Sequence, residues 1–177
     1  MGLDMYLEAR KYVSQIDWDK VPRRDVNDTE PIDYKLYQTE AYSALASMFP
    51  ERLTQYSDAG STVSINIGYW RKANQIHGWF VREVQEGEDD CRPYAVPREK
   101  LVELHTLVQK VLDGTKEDAK ELLPVTGGFF FGNYDEDDGY DEWYYEQLRH
   151  TDKMLTAILE EVKEGEYEYD IYYQSSW

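Results

Sequence analysis

The sequence predicts an α+β protein: a single compact domain over residues 1–177, with a small, mostly antiparallel sheet packed against four or five helices. Three observations carry that expectation. Leu3, Met5, Leu7 and Ala9 alternate with Asp4, Tyr6, Glu8 and Arg10 near one end of the chain, the period-two pattern of a half-buried strand. Tyr167, Tyr169, Ile171 and Tyr173 alternate with acids near the other end, so an N-terminal and a C-terminal strand are expected to pair. Between them, Leu101, Leu104, Val108, Val111 and Leu112 recur at the spacing of an amphipathic helix. A chain of 177 residues with 41% hydrophobic and 15% aromatic content is long and apolar enough to bury one core.

The remaining elements follow in order. Residues 14–38 contain Pro22, Asn27 and Pro31 with little apolar repetition, and read as a long irregular connection, either mobile or folded over a site. Ala41, Ala44, Leu45 and Met48 predict a short helix over Thr39–Phe49 that stops before Pro50. Residues 61–67 (STVSINI) alternate with β-branched residues and predict a strand ending at Gly68. From Tyr69 to Val84 the pattern reads as helical, with Ala73, Ile76, Phe80 and Val84 in one stripe and Trp70 and Val81 at its edge. Pro97 and Gly114 bracket the next helix, Thr115 and Asp118 have the spacing of a capping box, and Pro124 stops the short helix that follows. A long amphipathic helix is expected over residues 141–163, with Tyr144, Leu148, Leu155, Ile158, Leu159 and Val162 inward.

The net charge of -17 is unevenly spread. Residues 134–146 carry seven acids and no Lys or Arg, residues 160–170 carry six acids and one Lys, and these runs hold 12 of the 17 excess charges. Residues 69–82 contain Arg71, Lys72 and Arg82 and no acid. Such a molecule has local potentials of opposite sign. Duplex DNA is not an expected partner, because phosphate neutralisation needs a basic surface; a small anionic ligand in a local basic site remains open. No apolar run reaches the roughly 20 residues of a membrane-spanning helix. The opening Met1–Tyr6 lacks a basic region followed by an apolar stretch, and Cys91 is the lone cysteine. The expectation is a chain with no secretory signal and no intrachain disulfide, working in a reducing cytoplasm.

The segment Tyr69–Phe80 (YWRKANQIHGWF) is the strongest candidate for recognition, because it gathers cations, amides, a histidine and large aromatics. On a helical wheel started at Tyr69, Asn74 and His77 fall inward beside Trp70, while Arg71, Gln75 and Arg82 fall on the opposite side and Lys72 and Trp79 also turn away from the apolar stripe. A buried Asn and His either join a structural polar network or line a pocket. An outward Trp79 among cations suits an interface, or a tryptophan covered by the 14–38 segment. A nucleotide-type ligand needs a π surface for its base and donors for its phosphate, and Tyr69, Trp70, Arg71, Lys72 and Arg10 carry both. The candidate ligand-binding set is therefore Arg10, Tyr69, Trp70, Arg71, Lys72, Asn74, His77, Trp79 and Arg92.

Other motifs carry less. His77, His105 and His150 fall in three different expected helices with no HxxxH or CxxC spacing, so neither a zinc site nor any other metal or cofactor is expected. Asp135–Gly139 is acidic enough for a calcium loop but lacks the EF-hand spacing, and reads as a solvated loop. The GGFFFG stretch at 127–132 lacks the Lys-Ser/Thr of a phosphate loop. Arg92 beside Cys91 is suited to lowering a thiol pKa, but no base accompanies it. No complete acid–base constellation appears, so no catalytic residue is nominated.

The chain also resembles a group of small proteins from tailed-bacteriophage genomes. The resemblance rests on MGLDMYL at Met1–Leu7, YWRKANxIHxWF at Tyr69–Phe80, the segment Cys91–Val96, GFFFG at Gly128–Gly132, Asp141–Tyr145 and the Tyr173–Trp177 tail. Some members of that group carry the label phosphoglycerate kinase, a two-lobed enzyme more than twice this length, and nothing in this chain supplies its nucleotide lobe. What the resemblance implies is a phage accessory protein in the cytoplasm of an infected bacterium. The leading expectation is a homo-oligomeric sponge that sequesters a small anionic nucleotide-type immune signal. The alternative is an acidic nucleic-acid mimic that occupies a host defence or replication protein through residues 134–146; a phosphoesterase acting on a nucleotide signal is the weaker third reading.

Overall fold

The alternation near both ends of the chain produces two strands that pair in the middle of one sheet. In the computed structural model, which describes residues 2–25, 28–48, 61–127, 137–161 and 169–177, β1 (Asp4–Val13) and β4 (Asp170–Ser176) run antiparallel. Asp4 lies opposite Ser176, Leu7 opposite Tyr173 and Arg10 opposite Asp170. With β2 (Ser61–Arg71) and β3 (Tyr94–Ala95) the sheet has the order β2-β1-β4-β3. β3 is antiparallel to β4, with Tyr94 opposite Tyr173. β2 runs against β1: the Lys72 amide donates to the Leu3 carbonyl at 2.8 Å, the Tyr6 ring lies 5.5 Å from that of Tyr69, and a Cβ on Gly68 would stand 3.2 Å from Leu7 Cβ. Among the described residues there are five α-helices: α1 (Glu40–Met48), α2 (Asn74–Glu83), α3 (Arg98–Asp113), α4 (Lys116–Leu122) and α5 (Glu142–Glu161). The class is α+β, with the N- and C-terminal strands in one antiparallel sheet.

The chain forms two compact units, one comprising Met1–Arg10 and Ile65–Trp177, the other Lys11–Ser64. Within the second, Ile16 and Gln38 form an isolated antiparallel bridge, flanked by bonds from the Asp17 amide to the Tyr37 carbonyl (2.7 Å) and from the Thr39 amide to the Gln15 carbonyl (3.0 Å). Thr39 Oγ1 accepts the Tyr42 amide at 3.1 Å and so caps α1. The buried residue of that helix is Tyr42, and Met48, expected inward, is exposed.

The first unit holds the main core. Leu3, Met5 and Leu7 of β1, Trp70 of β2 and Tyr173 of β4 belong to one buried cluster with Ile76, Trp79 and Phe80 of α2, Leu101, Leu104 and Val108 of α3, and Tyr144, Leu148 and Leu155 of α5. α3 starts after Pro97, whose missing amide donor costs nothing at a helix end, and stops at Gly114. Thr115 and Asp118 form the expected capping box of α4. Gly68 lets α5 approach β2 closely, because a Cβ there would meet Met154 Sδ at 2.7 Å.

Two boundaries differ from the sequence reading. Strand β2 continues through Gly68 to Arg71, so Tyr69, Trp70 and Arg71 are extended residues and not the first turn of a helix. Lys72 then adopts a positive φ of 56°, and α2 starts only at Asn74. The GFFFG stretch, Asp135, Glu136, Val162 and Tyr167 lie outside the described residues.

Leu104 is fully buried and Thr115 is a solvent-side cap, so the two substitutions should separate by size. Leu104→Ala is expected to cost about 2–5 kcal/mol and Thr115→Ala about 1 kcal/mol in urea unfolding.

Candidate functional site

Strand alternation divides the nominated residues between the two faces of the sheet. Trp70 points into the core, where its Nε1 donates to Thr151 Oγ1 at 2.8 Å. Tyr69 and Arg71, its neighbours in β2, point the other way and are exposed. On β1 the residues sharing that outer face are Asp4, Tyr6, Glu8 and Arg10, and on β4 they are Asp170, Tyr172, Gln174 and Ser176, by direct register. The structure thus brings Arg10, Tyr69 and Arg71 to one sheet face, and adds Tyr6 and Tyr172, which were not nominated.

That outer face is organised. The Tyr69 hydroxyl donates to Asp4 Oδ1 at 2.5 Å, and this bond is the main reason its pKa lies above the ordinary tyrosine value. Arg10 donates through Nε and Nη2 to Glu8 Oε2, at 3.0 and 2.8 Å, while its guanidinium lies 4.3 Å from the centre of the Tyr172 ring. Arg71 and Lys72 are both exposed, and no carboxylate among the described residues pairs with either.

Asn74, His77 and Trp79 belong to the opposite side of the sheet, inside the core. Asn74 and His77 are buried, as the wheel predicts. Trp79 is not outward: it is 1% exposed, edge-on to Phe80 at 5.1 Å. Gln75, also expected outward, is buried and donates to the Tyr144 carbonyl at 3.4 Å. The wheel fails here because α2 is buried on every side over Asn74–Phe80, so it has no solvent face over those residues to assign. Arg92 lies apart on the loop after α2, exposed and paired with Asp90 and, at 3.3 Å, with Glu88. It borders a cleft of about 270 Å³ together with Gln85, Glu86 and Tyr94.

Several polar groups of α2 find partners outside the helix, while the buried Asn74 Nδ2 has none among the described residues. Asn74 Oδ1 accepts the Thr126 amide at 2.9 Å. His77 lies between Tyr173 Oη, 2.7 Å from Nδ1, and Asp89 Oδ2, 3.0 Å from Nε2. A carboxylate only accepts, so Nε2 carries a proton toward Asp89, and in the neutral ring Nδ1 accepts the tyrosine O–H. Asp89 Oδ1 in turn accepts from Trp177 Nε1 at 3.1 Å and from Ser175 Oγ at 3.4 Å. Tyr173 is stacked on Phe80 with centroids 3.9 Å apart, and burial, followed by the nearby Asp89 charge, holds its pKa well above the ordinary value. Although the order of groups suits proton relay, Tyr173 and His77 are sealed from solvent, so the chain of bonds ties α2 and the loop after it to β4. Nothing periodic in the sequence marks Asp89, whereas Tyr6 and Tyr172 were visible as the outward members of alternating strands.

Among the described residues, no three His, Cys, Asp or Glu side chains are grouped to hold a metal ion, and no helix is long and apolar enough to cross a membrane. The three histidines lie in α2, α3 and α5. Compared with protein-family models, curated proteins and solved structures, the chain matches none.

Burial raises the folded-state pKa of Tyr173, and burial is likewise the main cause of the upward shift at Tyr144. Above pH of about 10 the unfolded phenols ionise while the folded ones stay protonated, so stability is intact below that pH and falls as pH rises beyond it. Each tyrosine should remove about 1.4 kcal/mol in total between pH 9 and 11, read from urea unfolding. Tyr173→Phe is expected to reduce that loss, and at neutral pH to cost about 1–3 kcal/mol by leaving buried His77 Nδ1 without its donor.

Proposed function

We propose that the chain is a binding protein for a small anionic nucleotide-type ligand, held on the outer face of the sheet. The observation that carries this reading is the juxtaposition of the Tyr6–Tyr69 ring pair with Arg71, a cation that no described carboxylate neutralises. Tyr69 is 45% exposed, and its hydroxyl is anchored on Asp4, which leaves a fixed π surface open for a base. Arg71 follows two residues along the same strand face and ends the strand, with Lys72 next to it, so donors for a phosphate stand beside that surface. Arg92 is not part of this site, because Asp90 and Glu88 already engage it.

Binding without turnover is the favoured form of the reading. In the Asp89–His77–Tyr173 chain, His77 and Tyr173 are buried on the core side of the sheet, away from the outer face. The resemblance to small tailed-phage proteins supplies the biological setting. The chain then acts in an infected bacterium as a sponge for a nucleotide-type signal of antiviral defence, working as a homo-oligomer.

Titration calorimetry with adenosine monophosphate tests the reading. Arg71→Ala combined with Lys72→Ala should weaken binding by about tenfold or more, equivalent to about 1.4 kcal/mol, and Tyr69→Ala should weaken it comparably. Added salt should weaken the wild-type complex and affect the double variant less. An affinity unchanged by all three substitutions rules out the sheet face. Loss of function on neutralising Asp138 and Asp141 instead would point to the acidic surface and a protein partner.

A further inference from the structure

The nucleotide reading leaves Arg10 and Tyr172 without a role, and their geometry differs from that of Arg71. Both donors that Arg10 directs at Glu8 meet the same carboxylate oxygen, so the guanidinium is neutralised and fixed in orientation. Behind it lies the Tyr172 ring at 4.3 Å, and the Arg10 side chain retains 25% of its exposure. A guanidinium held over an aromatic ring and neutralised by a neighbour is poorly suited to capture phosphate and well suited to stack against a base.

The outer face therefore has two stacking stations. One is the Tyr6–Tyr69 pair, the other the Arg10–Tyr172 pair. Tyr172 lies opposite Glu8, two residues along β1 from Tyr6, so the stations are diagonal neighbours on adjacent strands. Such neighbours are about 7–8 Å apart. A single base does not cover both, whereas two bases splayed along one single-stranded step do. Charge points the same way. Asp4, Glu8 and Asp170 share the face, and among its described residues Arg71 is the cation with no carboxylate partner. This arrangement suits a ligand with little charge per base and disfavours a polyphosphate chain.

We infer that the outer sheet face takes a single-stranded dinucleotide step, one base on Tyr6–Tyr69 and the next on Arg10–Tyr172, with Arg71 at the backbone phosphate. The inference rests on the nucleotide reading and narrows its ligand. The step is supplied either by a free dinucleotide or by part of a longer single strand.

Calorimetry on the full chain with adenosine monophosphate, the dinucleoside monophosphate ApA and a ten-nucleotide adenosine strand separates these cases. ApA should bind about tenfold or more tightly than the mononucleotide. Arg10→Lys, which keeps the charge but loses the flat guanidinium, and Tyr172→Leu should each bring the ratio of the two affinities close to one, with urea unfolding confirming that both variants are folded. A ten-nucleotide strand that outcompetes ApA assigns the step to a longer strand, and equal affinity assigns it to a free dinucleotide. Equal wild-type affinity for ApA and the mononucleotide overturns the two-station inference while leaving the nucleotide reading intact. No measurable binding of either overturns both.

Discussion

The enclosure of the first two turns of α2 is the constraint on which the rest of this structure depends. Seven consecutive residues, Asn74–Phe80, are buried, including an asparagine, a glutamine and a histidine. An unmet buried donor or acceptor costs about 1–3 kcal/mol, so sinking a helix this deeply depends on partners for most of its polar groups, and Asn74 Nδ2 is the group of α2 left without one among the described residues. The Thr126 amide, the Tyr144 carbonyl, Tyr173 and Asp89 partner Asn74 Oδ1, Gln75 and His77. These bonds reach from α2 to the segment before the GFFFG stretch, to α5, to β4 and to the loop after α2. Each of these four neighbours is therefore positioned by geometry as well as by hydrophobic contact. Gly78 belongs to the same fit, because a side chain there would collide with Thr126.

That enclosure also decides which sheet face is left outside the core. Trp70, Leu7 and Tyr173 are committed to the core side, so the alternating residues Tyr6, Tyr69 and Tyr172 are turned the other way. Tyrosine suits that position: the ring covers the strands while the hydroxyl remains available to polar partners such as Asp4. The ion pair of Arg10 with Glu8 and the uncommitted Arg71 give the two ends of the face different chemistry, although both carry the same side chain.

Much of this was legible in the sequence where a period was long and clean. The alternation at Leu3–Arg10, the helical repeat from Leu101 to Val111 and the Thr115–Asp118 box all correspond to observed elements, because in each case one face is wet and the other dry. The segment from Tyr69 to Phe80 was misread for the opposite reason. Strand alternation carries on through Gly68 to Arg71, and the following helix has no wet face over its first two turns, so neither the boundary nor the phase was marked by polarity. β3 has two residues and leaves no pattern to see. Within the candidate site, Tyr69 and Arg71 were nominated for their chemistry and share the outer face, Trp79 was assigned the wrong side with its helix, and Asp89 was invisible because it is tied to Ser175 and Trp177, remote in sequence.

The position of β4 inside the sheet sets the order in which the molecule can assemble. Flanked by β1 and β3, this strand is contributed by residues 170–176, yet it pairs with a strand that starts at Asp4. Closing that pair brings together positions separated by nearly the whole chain, a large loss of loop entropy made before the contacts that repay it. During synthesis β1 would emerge with its eventual neighbour still unmade, leaving the inner face of Leu3, Met5 and Leu7 without a lid and one strand edge unpaired. The pair therefore closes only after residues 170–176 have been made, and until then that edge of β1 is open to pairing elsewhere.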